Sequence, residues 1–411
     1  MYNILYLSHS SSFAGGSVLS LIYLLQMLDK TRYKPSVASI SNIPEFFEVL
    51  ETKGIKGFHW PGIGILPHTT GGWYPLYSPI GWLGLARSLR RLRKSIRATE
   101  ELVHSVCPDI VHLNSAVLSP SAIGVKKAGV KLVWHIRESV VQGHLGLRKQ
   151  WLSQKVTELA DEAIFISEYD RQILAPKGKG VVIPNFVDFK RFDRDMNPVV
   201  IRSELSIPID AKVILFFGGM SRLKGAHVLL SALDIAAKNC RNLWAIFAGA
   251  IRPKSQSFIA RVGRVVLPVI GKPTERQDFY RKLGRNRLRD RIVLLPFRHD
   301  PERLLAGSDL VVFPSTEPHF ARPVIEAGAM AKPVVASKIG GVEELVEDGR
   351  TGFLVPPNEP NALADAIVRL IGDKWLAANM GEAGYKRALA NYNADINAAK
   401  IMSIYERLLG L

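Results

Sequence analysis

Ser315-Thr-Glu-Pro-His-Phe-Ala-Arg-Pro-Val-Ile-Glu-Ala-Gly-Ala-Met-Ala-Lys-Pro-Val-Val-Ala-Ser-Lys-Ile-Gly-Gly341 decides the fold of this chain. The apolar strand Asp309-Leu-Val-Val-Phe-Pro314 precedes it, and a second strand, Pro333-Val-Val-Ala336, lies inside it. A helix is predicted between the two, starting near Pro323. Strand, helix and strand in this order make a βαβ unit of a parallel sheet. Glu317 falls in the loop after the first strand and Glu326 on the helix. Ligands bind at that end of open α/β sheets. A helix N-terminus offers free N–H groups and partial positive charge to a phosphate, and a carboxylate beside it can accept hydrogen bonds from hydroxyls. A phosphate site flanked by hydroxyl acceptors suits a sugar nucleotide. The plainer alternative makes Glu326 a solvated first-turn residue that complements the helix dipole.

The same alternation runs through the chain. Strand-like runs are Asn3–Leu7, Pro35–Ile40, Asp109–Leu113, Lys131–Ile136, Ala163–Ile166 and Gly180–Pro184 in the first half. In the second they are Ala211–Phe217, Leu243–Phe247, Arg291–Leu295, Leu310–Phe313 and Pro333–Ala336. Asp188 to Asp210 is polar and charged, holds Pro198 and Pro208, and reads as a linker. The expectation is an α/β protein of two Rossmann-like domains facing across a cleft. One comprises residues 1–189 plus a C-terminal helix of about 390–411, the other residues 190–389.

Composition fits: 47% of residues are apolar and 22% charged, ordinary for globular domains. Cys107 and Cys240 stand alone in separate halves, which argues against a disulfide framework or structural zinc and for a reducing compartment. The first residues enter a strand at once, so no signal peptide is expected, and no apolar run is long enough to span a bilayer. No metal-ligand cluster is expected.

The net charge of +17 draws the chain to anionic partners. Two segments concentrate it. Residues 87–97 carry Arg87, Arg90, Arg91, Arg93, Lys94 and Arg97 without an acid. Opposite them lie Trp82, Leu85, Ala86, Leu89, Leu92 and Ile96, with Trp73, Tyr74 and Tyr77 just before. A basic face with interfacial aromatics predicts contact with an anionic membrane surface through residues 73–97. The alternative is an ordinary surface helix packed on its domain. Residues 251–291 hold twelve Lys or Arg against three acids, around the apolar run Val265–Ile270, and stay open between an excursion toward acceptor or membrane and a plain loop. A nucleic-acid partner is not expected, because no recognition motif accompanies the charge. A nicotinamide dehydrogenase is disfavoured too. The first loop, Ser8 to Ser17, lacks Gly-x-Gly-x-x-Gly, and no acid ends the second strand.

The stretch from Glu317 to Glu326 resembles the Glu-x7-Glu signature of the retaining glycosyltransferases of family 4, which have the GT-B fold. The resemblance covers nearly the whole chain and is most specific from Arg291 to Leu363, where Gly349–Pro357 also matches. It implies that Glu326 holds the ribose hydroxyls and Glu317 contacts the donor sugar. Eight residues separate the two carboxylates here rather than seven. Phe320-Ala321 falls on the family's Phe-Gly, so His319 reads as a one-residue insertion. Phe320, Ala321, Arg322 and Val324 come with the signature as donor-binding positions. Phe217-Gly218-Gly219-Met-Ser-Arg222-Leu-Lys224-Gly225 resembles the family's Gly-Arg-x4-Lys-Gly loop. Gly219 occupies the arginine position and Arg222 lies three residues later. Gly218, Gly219, Arg222 and Lys224 are thereby expected at the diphosphate, Gly15-Gly16 near diphosphate and acceptor, His135 at the donor sugar or β-phosphate, and Phe297 at the nucleobase. Gly340-Gly341-Val-Glu-Glu344 resembles the family's Gly-Gly-x-x-Glu turn.

The implied activity is metal-independent transfer of a sugar, with retention, from a UDP- or GDP-linked donor to a saccharide or lipid-linked acceptor. It belongs with surface polysaccharide or glycolipid biosynthesis, on the inner face of the cell membrane. No cofactor is expected. The alternative is a non-catalytic GT-B subunit or nucleotide-sugar-binding protein.

Overall fold

The computed structural model describes residues 1–13, 16–69, 72–73, 79–175, 178, 180–251 and 274–411. Gly15, Tyr74, Tyr77 and the apolar run Val265–Ile270 lie outside the described residues, as do the side chains of residues 71–80. The chain divides into two compact units, Met1–Asp188 with Asn391–Leu411, and Phe189–Ala390.

The first unit alternates strand and helix: β1 Tyr2–Ser8, α1 Gly16–Met27, β2 Tyr33–Ser39, α2 Pro44–Thr52 and β3 Lys56–His59. A two-residue hairpin pair follows, β4 His68–Thr69 and β5 Gly72–Trp73, then α3 Pro79–Val106, β6 Ile110–Leu113, α4 Ser119–Lys127 and β7 Lys131–Ile136. It continues with α5 Leu147–Leu159, β8 Glu162–Phe165, α6 Glu168–Leu174 and β9 Val181–Val182. Strand β3 and the hairpin were not foreseen from the sequence. β3 reads Lys-Gly-Phe-His, too short and mixed to show a period. The sheet order is β3-β2-β1-β6-β7-β8-β9, with every pairing parallel. Ile4 to Leu7 and Leu132 to Trp134 are buried, as central parallel strands covered on both faces require.

The second unit begins inside the stretch expected to be a linker, which is a correction. Asn197 caps α7 Pro198–Glu204 by accepting from Val199 N–H. Arg202 then donates from Nε to Gly307 O (2.9 Å) and from Nη1 to Ile209 O (2.7 Å), and its Nη2 pairs with Asp309 Oδ2 (2.9 Å). A polar, proline-bearing composition hid a segment whose one buried arginine ties it to the domain. The remaining elements are β10 Lys212–Phe216, α8 Ala226–Ala236, β11 Leu243–Ile251, α9 Glu275–Gly284, β12 Ile292–Pro296, α10 Pro301–Ala306 and β13 Leu310–Phe313. They continue with α11 Arg322–Ala329, β14 Val334–Ser337, β15 Gly352–Val355, α12 Pro360–Gly372 and α13 Lys374–Asn391. The order β12-β11-β10-β13-β14-β15 is again parallel.

In each sheet the chain steps outward from one central strand and then returns to that strand's other side. Connections therefore leave in opposite directions at β1/β6 and at β10/β13, opening a crevice at the carboxyl ends of those strands. That places the candidate residues of each unit.

The last helix, α14 Ala394–Leu409, belongs to the first unit. Asn393 caps its start and Gly410 ends it in the left-handed region. Its Tyr405 is fully buried, with its hydroxyl 2.9 Å from the Tyr6 hydroxyl and 2.6 Å from His112 Nδ1.

Candidate active site

In the second unit two loops meet at the β10/β13 crevice. Gly225 has φ 81°, and a Cβ there would lie 1.8 Å from Pro314 O; at Gly219, φ 59°, a Cβ would lie 2.5 Å from Gly249 O. Only glycine permits these approaches. Thr316 N–H donates to Leu223 O (2.9 Å), and Ser315 Oγ donates to the same carbonyl (2.9 Å). The loop that carries Lys224 and the loop that carries Glu317 are thus pinned to one another by backbone geometry. Gly218 lies against the Phe216 ring, and Lys224 is within electrostatic range of His319.

Arg222 sits in the same loop, but its Nη1 pairs with Asp278 Oδ2 at 3.1 Å. Asp278, buried on α9, also binds Arg281 Nη2 at 2.5 Å, and that bond holds its carboxyl below the usual range.

Helix α11 opens with Arg322, and Pro323 occupies its first turn. Ala321 and Val324 are buried and Phe320 is half-buried. Glu326 is 4% exposed, so it is not a solvated first-turn carboxylate. One turn before it, Arg322 Nη1 stands 3.3 Å from Glu326 Oε1. Burial raises the Glu326 pKa, and Arg322 opposes that shift. A buried carboxyl beside a buried guanidinium can accept hydrogen bonds from hydroxyls.

The extra residue His319 folds its ring onto Phe313, with ring centroids 5.1 Å apart. Its Nδ1 lies 2.9 Å from Glu317 O and 3.2 Å from Ser315 Oγ. The backbone bends at Thr316 and Glu317 just before it, and Glu317 is exposed. Phe297 is exposed beyond β12, with its ring edge-on to His299. Gly340-Gly341 forms a short 3-10 turn after β14.

In the first unit Gly16 is the first residue of α1, at the end of the β1 loop. Asn114, just past β6, donates from Nδ2 to Ser17 O (3.0 Å). Arg137 Nε donates to Asn114 Oδ1 (2.5 Å), and its Nη1 to Asn185 Oδ1 (2.7 Å). Glu138 accepts from Ser115 Oγ (2.8 Å) and Ala116 N–H (3.0 Å). His135 is buried, with Nδ1 3.2 Å from His112 Nε2. Burial, then the nearby Arg137 charge, pushes both imidazoles well below their usual pKa, so both are neutral near pH 7. Sequence reasoning overlooked His112, Asn114, Asn185 and Tyr405. The one signal was a histidine inside the apolar strand Ile110–Leu113.

Helix α3 is divided along its length. Ser95, Ala98, Thr99, Leu102 and Val103 are buried, and α4 approaches so closely that a Cβ on Gly124 would lie 2.7 Å from Ile96 O. Toward the N-terminus Trp82 is 54%, Leu83 70% and Leu89 52% exposed, and all six cations of residues 87–97 are exposed. Leu85, Leu92 and Ile96 are partly buried and Ala86 is exposed, so the exposed apolar face is narrower than the sequence suggests and includes Leu83. No helix among the described residues is long and apolar enough to cross a membrane. No cluster of three or more His, Cys, Asp or Glu among them could hold a metal ion.

A family model described as glycosyl transferases group 1 matches residues 200–387, and one described as glycosyltransferase family 4 matches residues 14–191. The chain belongs to glycosyltransferase family 4. Among its relatives is the D-inositol 3-phosphate glycosyltransferase of Corynebacterium kroppenstedtii, 30% identical over 264 residues, which cover 62% of this chain and 54% of that protein. The alpha-D-kanosaminyltransferase of Streptomyces kanamyceticus is 27% identical over 223 residues, 54% of this chain and 52% of the other. The chain thus spans about half the length of the curated relatives it matches. Among solved structures, HepE of Anabaena in complex with UDP and glucose superimposes with TM-score 0.76 at 23% identity, covering 99% of this chain and 100% of HepE. Sucrose-phosphate synthase of Thermosynechococcus elongatus does so with TM-score 0.71 at 19% identity, covering all of both chains. These likenesses carry the fold: two parallel-sheet Rossmann-like domains with GT-B neighbours.

Proposed function

We propose that this family 4 chain is a retaining glycosyltransferase that moves a sugar from a UDP- or GDP-linked donor to a saccharide or lipid-linked saccharide. One observation carries the reading: Lys224 and Glu317 sit on loops pinned together at the β10/β13 switch point, and α11 beside them holds Glu326 in a buried site. Lys224 then neutralises the diphosphate as the bond to the sugar breaks, stabilising charge where it develops. Glu326 accepts from ribose hydroxyls and Glu317 from the sugar. Gly218 and Gly219 bring backbone close to the phosphates, while Phe320, Ala321, Arg322 and Val324 shape the wall around Glu326. Phe297 faces the nucleobase. The departing phosphate takes the proton of the acceptor hydroxyl as that oxygen bonds to the anomeric carbon on the face the phosphate leaves. HepE, solved with UDP and with UDP-glucose, supports the donor class. The reaction runs without a metal ion, Lys224 and the loop N–H groups supplying the positive charge.

The exposed basic, apolar start of α3 seats the protein on an anionic membrane, the inner face of the cell membrane in this reading, where a lipid-linked acceptor of surface polysaccharide or glycolipid synthesis is presented. A non-catalytic, nucleotide-sugar-binding role is the second reading. What favours it is Arg222, whose guanidinium is already engaged by Asp278 while Gly219 stands at the family's arginine position. Thermal-shift screening of UDP- and GDP-sugars, followed by assay of sugar release from the stabilising donor with and without EDTA, tests both. Release that survives EDTA fits the proposal. Stabilisation without release fits the second reading, and release abolished by EDTA and restored by manganese contradicts metal independence.

A further inference from the structure

The residue that breaks the family spacing has its own chemistry. His319 Nδ1 faces Glu317 O at 2.9 Å, and a carbonyl oxygen can only accept. Nδ1 therefore carries the proton. The second neighbour agrees, because Ser315 Oγ gives its hydrogen to Leu223 O and is free to accept at 3.2 Å. The tautomer is thereby fixed, with a bare lone pair on Nε2. That atom is shut away from solvent and has no hydrogen-bond partner among the described residues. Burial, and after it the Lys224 charge, lowers the His319 pKa to about 4, so the lone pair persists at neutral pH. A buried acceptor without a donor is an unfavourable arrangement that a ligand donor relieves.

The partner class follows from the tautomer. A phosphate oxygen is itself an acceptor and cannot satisfy a lone pair, whereas a hydroxyl can donate to it. His319 lies on the Glu317 loop, at the carboxyl end of β13. We propose that His319 is a sugar-recognition residue, its Nε2 accepting a hydrogen bond from a hydroxyl of the transferred sugar. This rests on the nucleotide-sugar reading above and adds a residue to it. The insertion then changes which sugar is bound rather than weakening the site.

Two measurements on the full chain test it. Long-range 15N correlation NMR reads the tautomer without a ligand: the expected result is a protonated Nδ1 and a bare Nε2, and a protonated Nε2 would overturn the proposal whatever the protein's activity. Calorimetry with UDP-glucose against UDP, and GDP-mannose against GDP, reads the contact. His319→Asn keeps a donor toward Glu317 O and removes the Nε2 acceptor. It should lower affinity for the bound nucleotide sugar about tenfold, one hydrogen bond's worth, and leave the diphosphate within about twofold. His319→Gln, which places an amide oxygen near the Nε2 position, should recover part of the loss. Equal loss for sugar nucleotide and diphosphate would make His319 a loop-packing or ribose residue, and no loss for either would remove it from the site. If the wild-type chain binds none of the four ligands, the nucleotide-sugar reading itself falls, even with the tautomer as expected.

Discussion

The Tyr405 hydroxyl stands 2.6 Å from His112 Nδ1, joining the C-terminal helix to a central strand of the first sheet across 293 residues of sequence. Both residues are fully buried, and the Tyr6 hydroxyl completes the group at 2.9 Å from that of Tyr405. Removing one hydroxyl would strand polar atoms on two other residues. Tyr405→Phe should therefore destabilise the first unit by about 1–3 kcal/mol, the cost of an unsatisfied buried group. Urea unfolding followed by hydrogen exchange of first-unit amides checks this, and an unchanged midpoint would show the contact to be energetically idle.

Glu326→Gln should weaken nucleotide-sugar binding, because the amide offers one acceptor oxygen where the carboxyl offers two. The pairing with Arg322 at 3.3 Å can still be made through that oxygen, so the fold should hold. Calorimetry with the stabilising donor, alongside near-ultraviolet circular dichroism, separates the two effects. Native dichroism with unaltered affinity would take Glu326 out of the donor site.

Lys224→Ala should weaken binding of the nucleoside diphosphate by about 1.5–3 kcal/mol, the range for a charge-assisted hydrogen bond. The neighbouring Arg222 should not substitute, since Asp278 holds it. Diphosphate affinity equal to that of the wild type would mean that the loop does not grip phosphate.

The exposed start of α3 should bind anionic vesicles. Each of its six cations contributes about 1 kcal/mol near an anionic surface, fading over a Debye length of about 8 Å at physiological salt. Changing Arg90, Arg91 and Lys94 to Glu should release the protein from vesicles and spare donor binding. These three side chains are exposed, and they lie on the first unit rather than with the second-unit residues proposed to bind the donor. Equal co-sedimentation of wild type and triple variant would reduce the patch to a solvated surface.

Acid should destabilise the first unit through its buried histidines. His68 donates from Nε2 to Ala116 O, and burial lowers its pKa to about 3. His112 and His135 shift in the same direction. A folded-state pKa below the unfolded 6.5 means that the unfolded chain binds the proton first. Stability is then complete above pH 6.5 and falls as pH drops toward 3, by up to about 1.4 kcal/mol per pH unit for each such group. His68→Gln keeps a donor toward Ala116 O and should flatten the slope between pH 6 and 4 by up to that amount. An unaltered slope would mean that His68 is protonated in the fold.

The sequence by itself determined the parallel sheets, the doubled α/β plan, the final helix and the loops at the strand ends. Those rest on local signals: short apolar runs such as Leu310–Phe313, and glycines such as Gly225 where a backbone must pass. The placement of Glu326 on the helix after β13 was legible for the same reason, since strand, loop and helix are consecutive. Tertiary structure alone decided which polar groups meet. It joined His112 to Tyr405, tied Arg222 to Asp278 56 residues on, and turned the supposed linker into a helix held by Arg202. It also turned His319 from a counting irregularity into a histidine with a fixed tautomer. Periodicity specifies which face of an element is buried. It does not specify which distant donor will lie within 3 Å of an acceptor, because that pairing exists only once both elements have packed.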